Sequence, residues 1–425
     1  MSETGAEKQL PIKHVVAVGL GNALAFYDFL SYAFFGVQIG RAFFPPSLFQ
    51  DPAWSLLASL GVFAVGFIAR PIGAVVIGRF ADRVGRRPAM LVSFSMMGAA
   101  IVGLALTPSY ASIGFAAPVL AIAFRLLQGF ALGGEVGPST AYLLERAPTA
   151  KRGLYTSLAF MTQDMAAFTA ALVGFALSST LSAAALDAWG WRVAFLVGAL
   201  VIPAGLYIRR ALPETLHDDD ETPSSASASF RPYLPLAVLG LVILASGTMA
   251  SYVQTNLTNY ASANLQVNTQ IAFAAATLNG LFTFAFDPVG GWLADRFGRK
   301  PVMIWGQVSL ALVTLPAFYA MVQFRDAWSL CIGAAALGLF TGIAQPPTSV
   351  AISEALPRRI RAGGFGIVYA LAISVFGGVT PFAVTWLVEA THNPIAPAVY
   401  MVIATIVGVG AMLAFPETSP NVKRA

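Results

Sequence analysis

The sequence predicts an all-α membrane protein: twelve transmembrane helices in two six-helix pseudo-symmetric bundles. Three observations predict it. The 425 residues are 57% hydrophobic and 11% charged, more apolar surface than a soluble chain of this length can hide. Apolar runs of at least about 18 residues, enough to cross a hydrocarbon layer roughly 30 Å thick, recur along the chain. Finally, GRFADRVGRRP at Gly78 to Pro88 returns as GWLADRFGRKP at Gly291 to Pro301, each copy wedged between two such runs.

Residues 1–13 are polar and read as an N-terminal tail; the apolar run after them is too long for a removable signal peptide, so the first helix is retained. The twelve segments fall near 14–41, 54–78, 89–107, 113–144, 153–179, 190–209, 232–261, 269–290, 301–322, 328–353, 363–389 and 395–415. Loops after the second, fourth, sixth, eighth and tenth carry Arg79, Arg83, Arg86, Arg87, Arg146, Lys151, Arg152, Arg209, Arg210, Arg231, Arg296, Arg299, Lys300, Arg358, Arg359 and Arg361, against little beyond Arg41, Arg192 and Arg325 opposite. Short loops rich in Lys and Arg stay in the cytoplasm. The expectation is a multi-pass protein of the plasma (inner) membrane with both termini cytoplasmic. The net charge of +5 follows from that orientation and from contact with the lipid bilayer, and implies no nucleic-acid partner.

The repeat extends further. Glu145 to Pro148 (ERAP) answers Glu354 to Pro357 (EALP), and Pro213-Glu214-Thr215 answers Pro416-Glu417-Thr418. Three marks in the same order make the halves, 14–210 and 232–415, parallel copies of six helices. The linker 211–231 contains HDDDETPSSASAS, acidic and rich in small residues, a flexible tether without a core; residues 416–425 form a C-terminal tail. Cys331 is the sole cysteine, and His14, His217 and His392 are scattered. No metal site, cofactor or enzymatic centre is expected. No GxxxxGK[ST] loop is present, so ATP is not the energy source.

The doubled GxxxDRxGRRP resembles the signature of the major facilitator superfamily, and Arg125-Leu-Leu-Gln128-Gly129 with Gly133, Gly134 and Pro138 resembles its segment-four motif. Asn22 with Tyr27-Asp28-Phe29, Arg70-Pro71-Ile72-Gly73-Ala74, Trp189-Gly190-Trp191-Arg192, and Tyr369 with Phe376-Gly377-Gly378-Val379-Thr380-Pro381 are similar to the metabolite:proton symporters, and within them to citrate and tricarballylate carriers. Segment five lacks the glycine-proline pattern of the drug:proton exchangers. The resemblance implies a monomeric secondary active carrier, with proton-coupled symport of a small organic anion (citrate, tricarballylate or a related di- or tricarboxylate) into the cell by alternating access. Sodium-coupled symport, and a facilitator or exporter without proton coupling, stand as alternatives. In this family, segments one and four of each half line the central cavity.

Asp82, Arg83 and Arg86, with Asp295, Arg296 and Arg299, are read as gates that hold the cytoplasmic side closed; for the arginines, enforcing cytoplasmic placement alone is the alternative. A carboxylate at a helix end can pair with a neighbouring arginine or cap a helix N-terminus. Asp287, followed by Pro288, is assigned to the same gate region, where the proline predicts a bend.

An ionisable side chain at bilayer depth is costly, so it should face the interior and find a partner. Asp28, Arg125 and Asp164 lie about 14, 12 and 11 residues into their segments, which at 1.5 Å per residue is near mid-membrane. Asp28 is the leading proton carrier, Arg125 the carboxylate anchor, and protonation of Asp28 frees Arg125 for the substrate. Glu135 and Asp164 are further proton-coupling candidates, although an acid at Asp164 opposes a trianion unless it is protonated or paired. Arg70, about two turns from the inner end of segment two, either snorkels outward or sits against substrate, and the structural role is the preferred one. Asn22, Tyr32, Gln128 and Gln163 complete the first half's candidate substrate-binding set.

At the offset between Glu145 and Glu354, the second-half counterparts of Arg125 and Glu135 are Ala334 and Ala344. That half offers neutral groups instead: Tyr252, Asn256, Asn259 and Tyr260 on one helical face, then Asn279, Thr283, Gln345, Thr348, Tyr369 and Ser374. Tyr252, Asn256, Asn279, Gln345 and Tyr369 are taken as substrate-reading; interhelical hydrogen bonding is the alternative for each. Coupling is thus expected in the first half and shape-reading in the second.

Overall fold

The computed structural model describes residues 23, 26–48, 52–84, 86–133, 151–199, 231–420 and 422. Among them twelve helical segments fall where the apolar runs place them. The first half contains α1 (26–34, continuing as Gly36–Phe43), α2 (Pro52–Val84), α3 (Arg86–Leu106), α4 (Ala116–Leu132), α5 (Arg152–Thr180) and α6 (Trp191–Ala199). The second contains α7 (Leu234–Thr255), α8 (Thr269–Phe297), α9 (Arg299–Phe324), α10 (Ala327–Ala355), α11 (Arg358–Leu371, running through π-helical Ala372–Gly377 into Gly378–Thr391) and α12 (Ala396–Ala414). Eight described spans have the length and apolar composition to cross a membrane. Their outer faces carry side chains such as Trp305, Leu312, Phe324, Trp328 and Ile406 in the open, as suits helices solvated by lipid rather than water. The linker, ERAP and Pro213-Glu214-Thr215 lie outside the described residues.

Two helix ends run furthest past the hydropathy reading. Helix α2 continues to Val84 and α8 to Phe297, each past the point where the apolar run stops. Hydropathy marks the edge of the hydrocarbon, whereas a helix can continue into the headgroup layer with charged side chains on it. Pro288 lies inside α8, which runs through it as one helix. The longer α2 matters for Arg70, which becomes its nineteenth residue of 33, roughly 21 Å from its C-terminal end.

The two halves repeat one packing device. A Cβ on Gly129 of α4 would strike the Gly66 carbonyl oxygen of α2, and one on Gly133 would strike the Arg70 carbonyl oxygen and the Ala74 nitrogen. In the second half, Gly338 meets Asn279 O and Gly342 meets Thr283 O and the Asp287 nitrogen. These are corresponding positions at the repeat's own offsets. Glycine lets the two backbones touch, so α2 against α4 and α8 against α10 are the same close crossing. The register makes Thr283 the counterpart of Arg70 and Ala74 the counterpart of Asp287.

The halves meet most extensively along two seams, α5 against α8 and α2 against α11, with α10 also touching α5. In the first, the helices run antiparallel: Gly153 abuts Gly291 at the arginine-rich end, Phe168 abuts Gly280, and Gly174 abuts Phe273 near the other end. In the second, Gly378 leaves room for Phe67 of α2, while Gly377 beside it leaves room for Tyr252 of α7 in its own half. This gives the Phe376-Gly377-Gly378 motif a job, where α11 leaves its π-helical stretch.

Candidate functional site

The close α2–α4 crossing brings two guanidinium groups into one aromatic cage. Arg125 is fully buried, with its Cζ 4.2 Å from the Tyr32 ring centre, 4.8 Å from Phe29 and 5.2 Å from Phe63. The Arg70 Cζ sits 4.3 Å from Phe29 and 4.4 Å from Phe67. Phe29 therefore carries both cations, a favourable cation–π arrangement away from water. The cage crosses to the second half through Tyr252, whose ring lies 5.8 Å from Phe67 and 6.2 Å from Phe63. Gly66 lets the Arg125 backbone approach, since a Cβ there would come within 3.2 Å of the Arg125 carbonyl oxygen.

Asp28 and Arg125 are joined through Gln128 rather than as a direct ion pair. The Arg125 Nη1 donates to Gln128 Oε1 at 2.6 Å, and Gln128 Nε2 donates to Asp28 Oδ2. Tyr27, beside Asp28, donates to the Ala194 carbonyl at 3.2 Å and fixes α1 on α6. So the Tyr27-Asp28-Phe29 triplet anchors, titrates and stacks in turn. What the relay leaves over is informative. Asp28 Oδ1, Arg125 Nε and Nη2, and Arg70 Nε and Nη2 are buried with no hydrogen-bond partner among the described residues. An orphaned buried donor is costly, and four guanidinium nitrogens together call for an acceptor. Arg70 lies deeper than a segment ending at residue 78 implies, because α2 continues to Val84, and of its two readings the cage favours the one in which it faces substrate.

Gln163 meets Tyr369 across the seam, the phenol donating to Gln163 Oε1 at 3.5 Å, the outer limit of such a bond. Asp164, next to it on α5, faces Asp287 of α8 across the seam. Asp287 is thus placed in the seam with another acid, eight residues from the arginine cluster it was assigned to. Tyr32 caps the cage and bonds Ser59 O at 3.3 Å.

The neutral side chains of the second half are largely committed to one another. Asn256 donates to Thr385 Oγ1 at 3.2 Å, Asn279 to Gln254 Oε1 at 2.8 Å and Ala334 O at 2.9 Å, and Gln345 to Gly247 O at 3.0 Å and Ser251 Oγ at 2.8 Å. For these three the interhelical role is the one on display. Tyr252 alone of its predicted face reaches the cage; Asn259 turns to the first half, donating to Ala33 O at 2.7 Å and accepting from Val37 N at 3.3 Å.

At the arginine-rich end the second-half marks of the repeat converge. Asp295 crosses the seam to cap α5, accepting from the backbone N–H groups of Gly153 at 2.8 Å and Leu154 at 2.9 Å, while Arg299 donates to it at 2.6 Å. Arg299, fully buried, also reaches Glu354 at 3.2 Å, and Arg152 approaches Glu354 at 3.9 Å. Glu417 caps α9 through the N–H groups of Arg299 and Lys300, both at 3.0 Å. Glu354 and Glu417 had registered only as punctuation of the repeat. Arg296 is the exception, exposed against Trp292 and Phe297 at 5.5 and 5.3 Å; its place on the helix turns it to the surface. Asn22 and Glu135 lie outside the described residues, as do the side chains of Asp82, Arg83 and Arg86.

Two inter-half bonds to a carboxylate, each worth roughly 1.5–3 kcal/mol, predict the effect of Asp295→Ala. The arginine-rich ends should separate, shifting the closed-to-open ratio by at least about tenfold, read from spin-label distances across the α5–α8 seam. An unchanged distance distribution would contradict a holding role for Asp295.

Two membrane-embedded bundles around a buried charged cage define a polytopic carrier, not an enzyme. The family profile described as Sugar (and other) transporter matches residues 14–232, and that described as Major Facilitator Superfamily matches residues 239–425. A citrate-proton symporter of Klebsiella pneumoniae is 35% identical, covering 93% of this chain and 89% of that one. An alpha-ketoglutarate permease of Escherichia coli (strain K12) is 32% identical (88% and 87%), and a proline/betaine transporter of the same strain 29% identical (96% and 84%). The E. coli xylose transporter, in a partially occluded inward-open conformation, shares the fold with a TM-score of 0.75 at 19% identity, over 96% of this chain and 98% of that one. The chain belongs to the major facilitator superfamily, among its metabolite:proton symporters.

Proposed function

We propose that this carrier is a proton-coupled symporter for a small organic polyanion, a di- or tricarboxylate of the citrate and tricarballylate kind. In this reading it lies in the plasma membrane with both termini cytoplasmic and moves substrate inward by alternating access. One observation carries the reading: Arg70 and Arg125 share a cage and hold four buried guanidinium nitrogens without acceptors. Guanidinium forks match carboxylates two bonds at a time, and two forks suit two carboxylates. A zwitterion such as glycine betaine would bring its cationic end into a cage that already holds two positive charges. Among the relatives, this favours the roles named for the citrate symporter and the ketoglutarate permease over that named for the proline/betaine carrier.

Asp28 supplies the coupling. Ionised, it draws Arg125 toward itself through Gln128; protonated, it stops competing with the substrate for that cation. Tyr252 and Tyr369, within electrostatic reach of Arg70, let the second half close on substrate held by the first. In liposomes with an inward proton gradient, tricarballylate or citrate should accumulate and collapse with the gradient, while glycine betaine should not. Accumulation of betaine, or carboxylate uptake indifferent to the gradient, would defeat the proposal.

A further inference from the structure

The Asp164–Asp287 contact is unlike the other charged contacts described. Asp287 is fully buried, and neither carboxylate oxygen receives a bond from a conventional donor. Across the seam it faces the carboxyl of Asp164, from the other half of the molecule. Two carboxylates cannot share a dry contact as anions; one proton between them turns repulsion into a hydrogen bond. Asp164 retains partial exposure, which leaves a path for that proton, while Asp287 is sealed.

Among the described residues, no cation stands in for the proton. On α5 and α8 the next charged groups are Arg152 and Asp295, both engaged in the cluster at the arginine-rich end. From α9, Arg299 is held by Asp295 and Glu354, and Glu354 is the acid that α10 contributes. Nearer the pair, α10 presents Gly342 to the Asp287 backbone. From α11, the Tyr369 phenol faces Asp164 beside Gln163. From α7, Tyr252 faces Arg70 and Arg125, and Arg192 of α6 is bonded at the opposite end to Ala188 and Thr107. Pseudo-symmetry shows the acid is not required by the fold, because the same register in the first half holds Ala74.

We infer that Asp164 and Asp287 form a second proton-binding site, a latch across the α5–α8 seam separate from the Asp28 relay. One shared proton holds the arginine-rich ends of the halves together, and its departure lets them part. A proton bound there is carried between states by the motion that opens the seam. The latch involves no substrate contact and does not depend on which anion is carried.

Spin labels at Val84→Cys and Phe297→Cys, both exposed at the arginine-rich end, in a Cys331→Ser background, report the seam in full-length protein in nanodiscs without substrate. In this parent, raising the pH from about 5 to about 8 should convert short distances to long ones. Asp287→Asn should keep the short distance at about pH 8, because an amide donates to Asp164 without a titrating proton, and should raise the closed-to-open ratio there by about tenfold or more. Asp164→Asn carries the same expectation and serves should the buried substitution impair insertion. Asp28→Asn should leave the parent's pH response in place. A parent that ignores pH, Asn variants that keep its response, or an Asp28→Asn protein that loses it would each overturn the latch.

Discussion

Substituting Arg125 with glutamine should weaken binding of a tricarboxylate by on the order of 100-fold or more. Two charge-assisted bonds are lost, each worth roughly 1.5–3 kcal/mol, and Asp28 loses the cation at the far side of Gln128. Arg70→Gln should cost about 10- to 100-fold for tricarballylate yet little for a monocarboxylate, because one guanidinium still serves one carboxylate. Both variants keep the glycine-lined α2–α4 crossing, so isothermal titration on folded protein can separate binding from stability. Equal losses for mono- and tricarboxylates in Arg70→Gln would show that Arg70 serves the fold rather than the substrate.

The second large effect is expected at Asp28. In Asp28→Asn the relay to Gln128 and Arg125 keeps its shape, but the group that competes for Arg125 no longer titrates. Uphill accumulation should fall to the level of equilibration, while exchange of labelled for unlabelled substrate persists. The sign of the pH response follows: in the parent, substrate affinity falls as pH rises and Asp28 ionises, whereas in the variant it stays flat. A variant that still accumulates substrate against its gradient would place coupling elsewhere, with Asp164 and Asp287 the first group to examine.

Much of this was legible in the chain. The doubled motif gave two halves, and the hydropathy gave twelve segments, because membrane crossing leaves a one-dimensional signature in length and composition. Asp28 and Arg125 could be selected because an intramembrane charge demands a reason, and Gln128 because it stands in the segment-four motif. Arg70 escaped for a definable cause: hydropathy measures the hydrocarbon, not the helix, so an α2 that continues to Val84 looked shorter and Arg70 looked peripheral. The aromatic cage escaped because Phe29, Phe63 and Phe67 are indistinguishable by type from residues facing lipid. The Asp164–Asp287 contact joins segments from opposite halves, and no spacing rule encodes which face of α5 meets which face of α8. Glu354 and Glu417 were visible as punctuation, but that they converge on Arg299 is a fact of packing. The polar faces of α7, α8 and α10 looked like readers of substrate; most of those side chains are satisfied by neighbours within their own bundle.

The functional account rests on two guanidiniums reading two carboxylates. Its most direct test is the affinity of the purified carrier for tricarballylate, glutarate and butyrate, measured by isothermal titration in the parent and in Arg70→Gln. The parent should bind progressively more weakly as carboxylates are removed, and Arg70→Gln should shrink the span between tricarballylate and butyrate by about tenfold or more. An undiminished span in Arg70→Gln, or glycine betaine binding to the parent as tightly as tricarballylate, would contradict it.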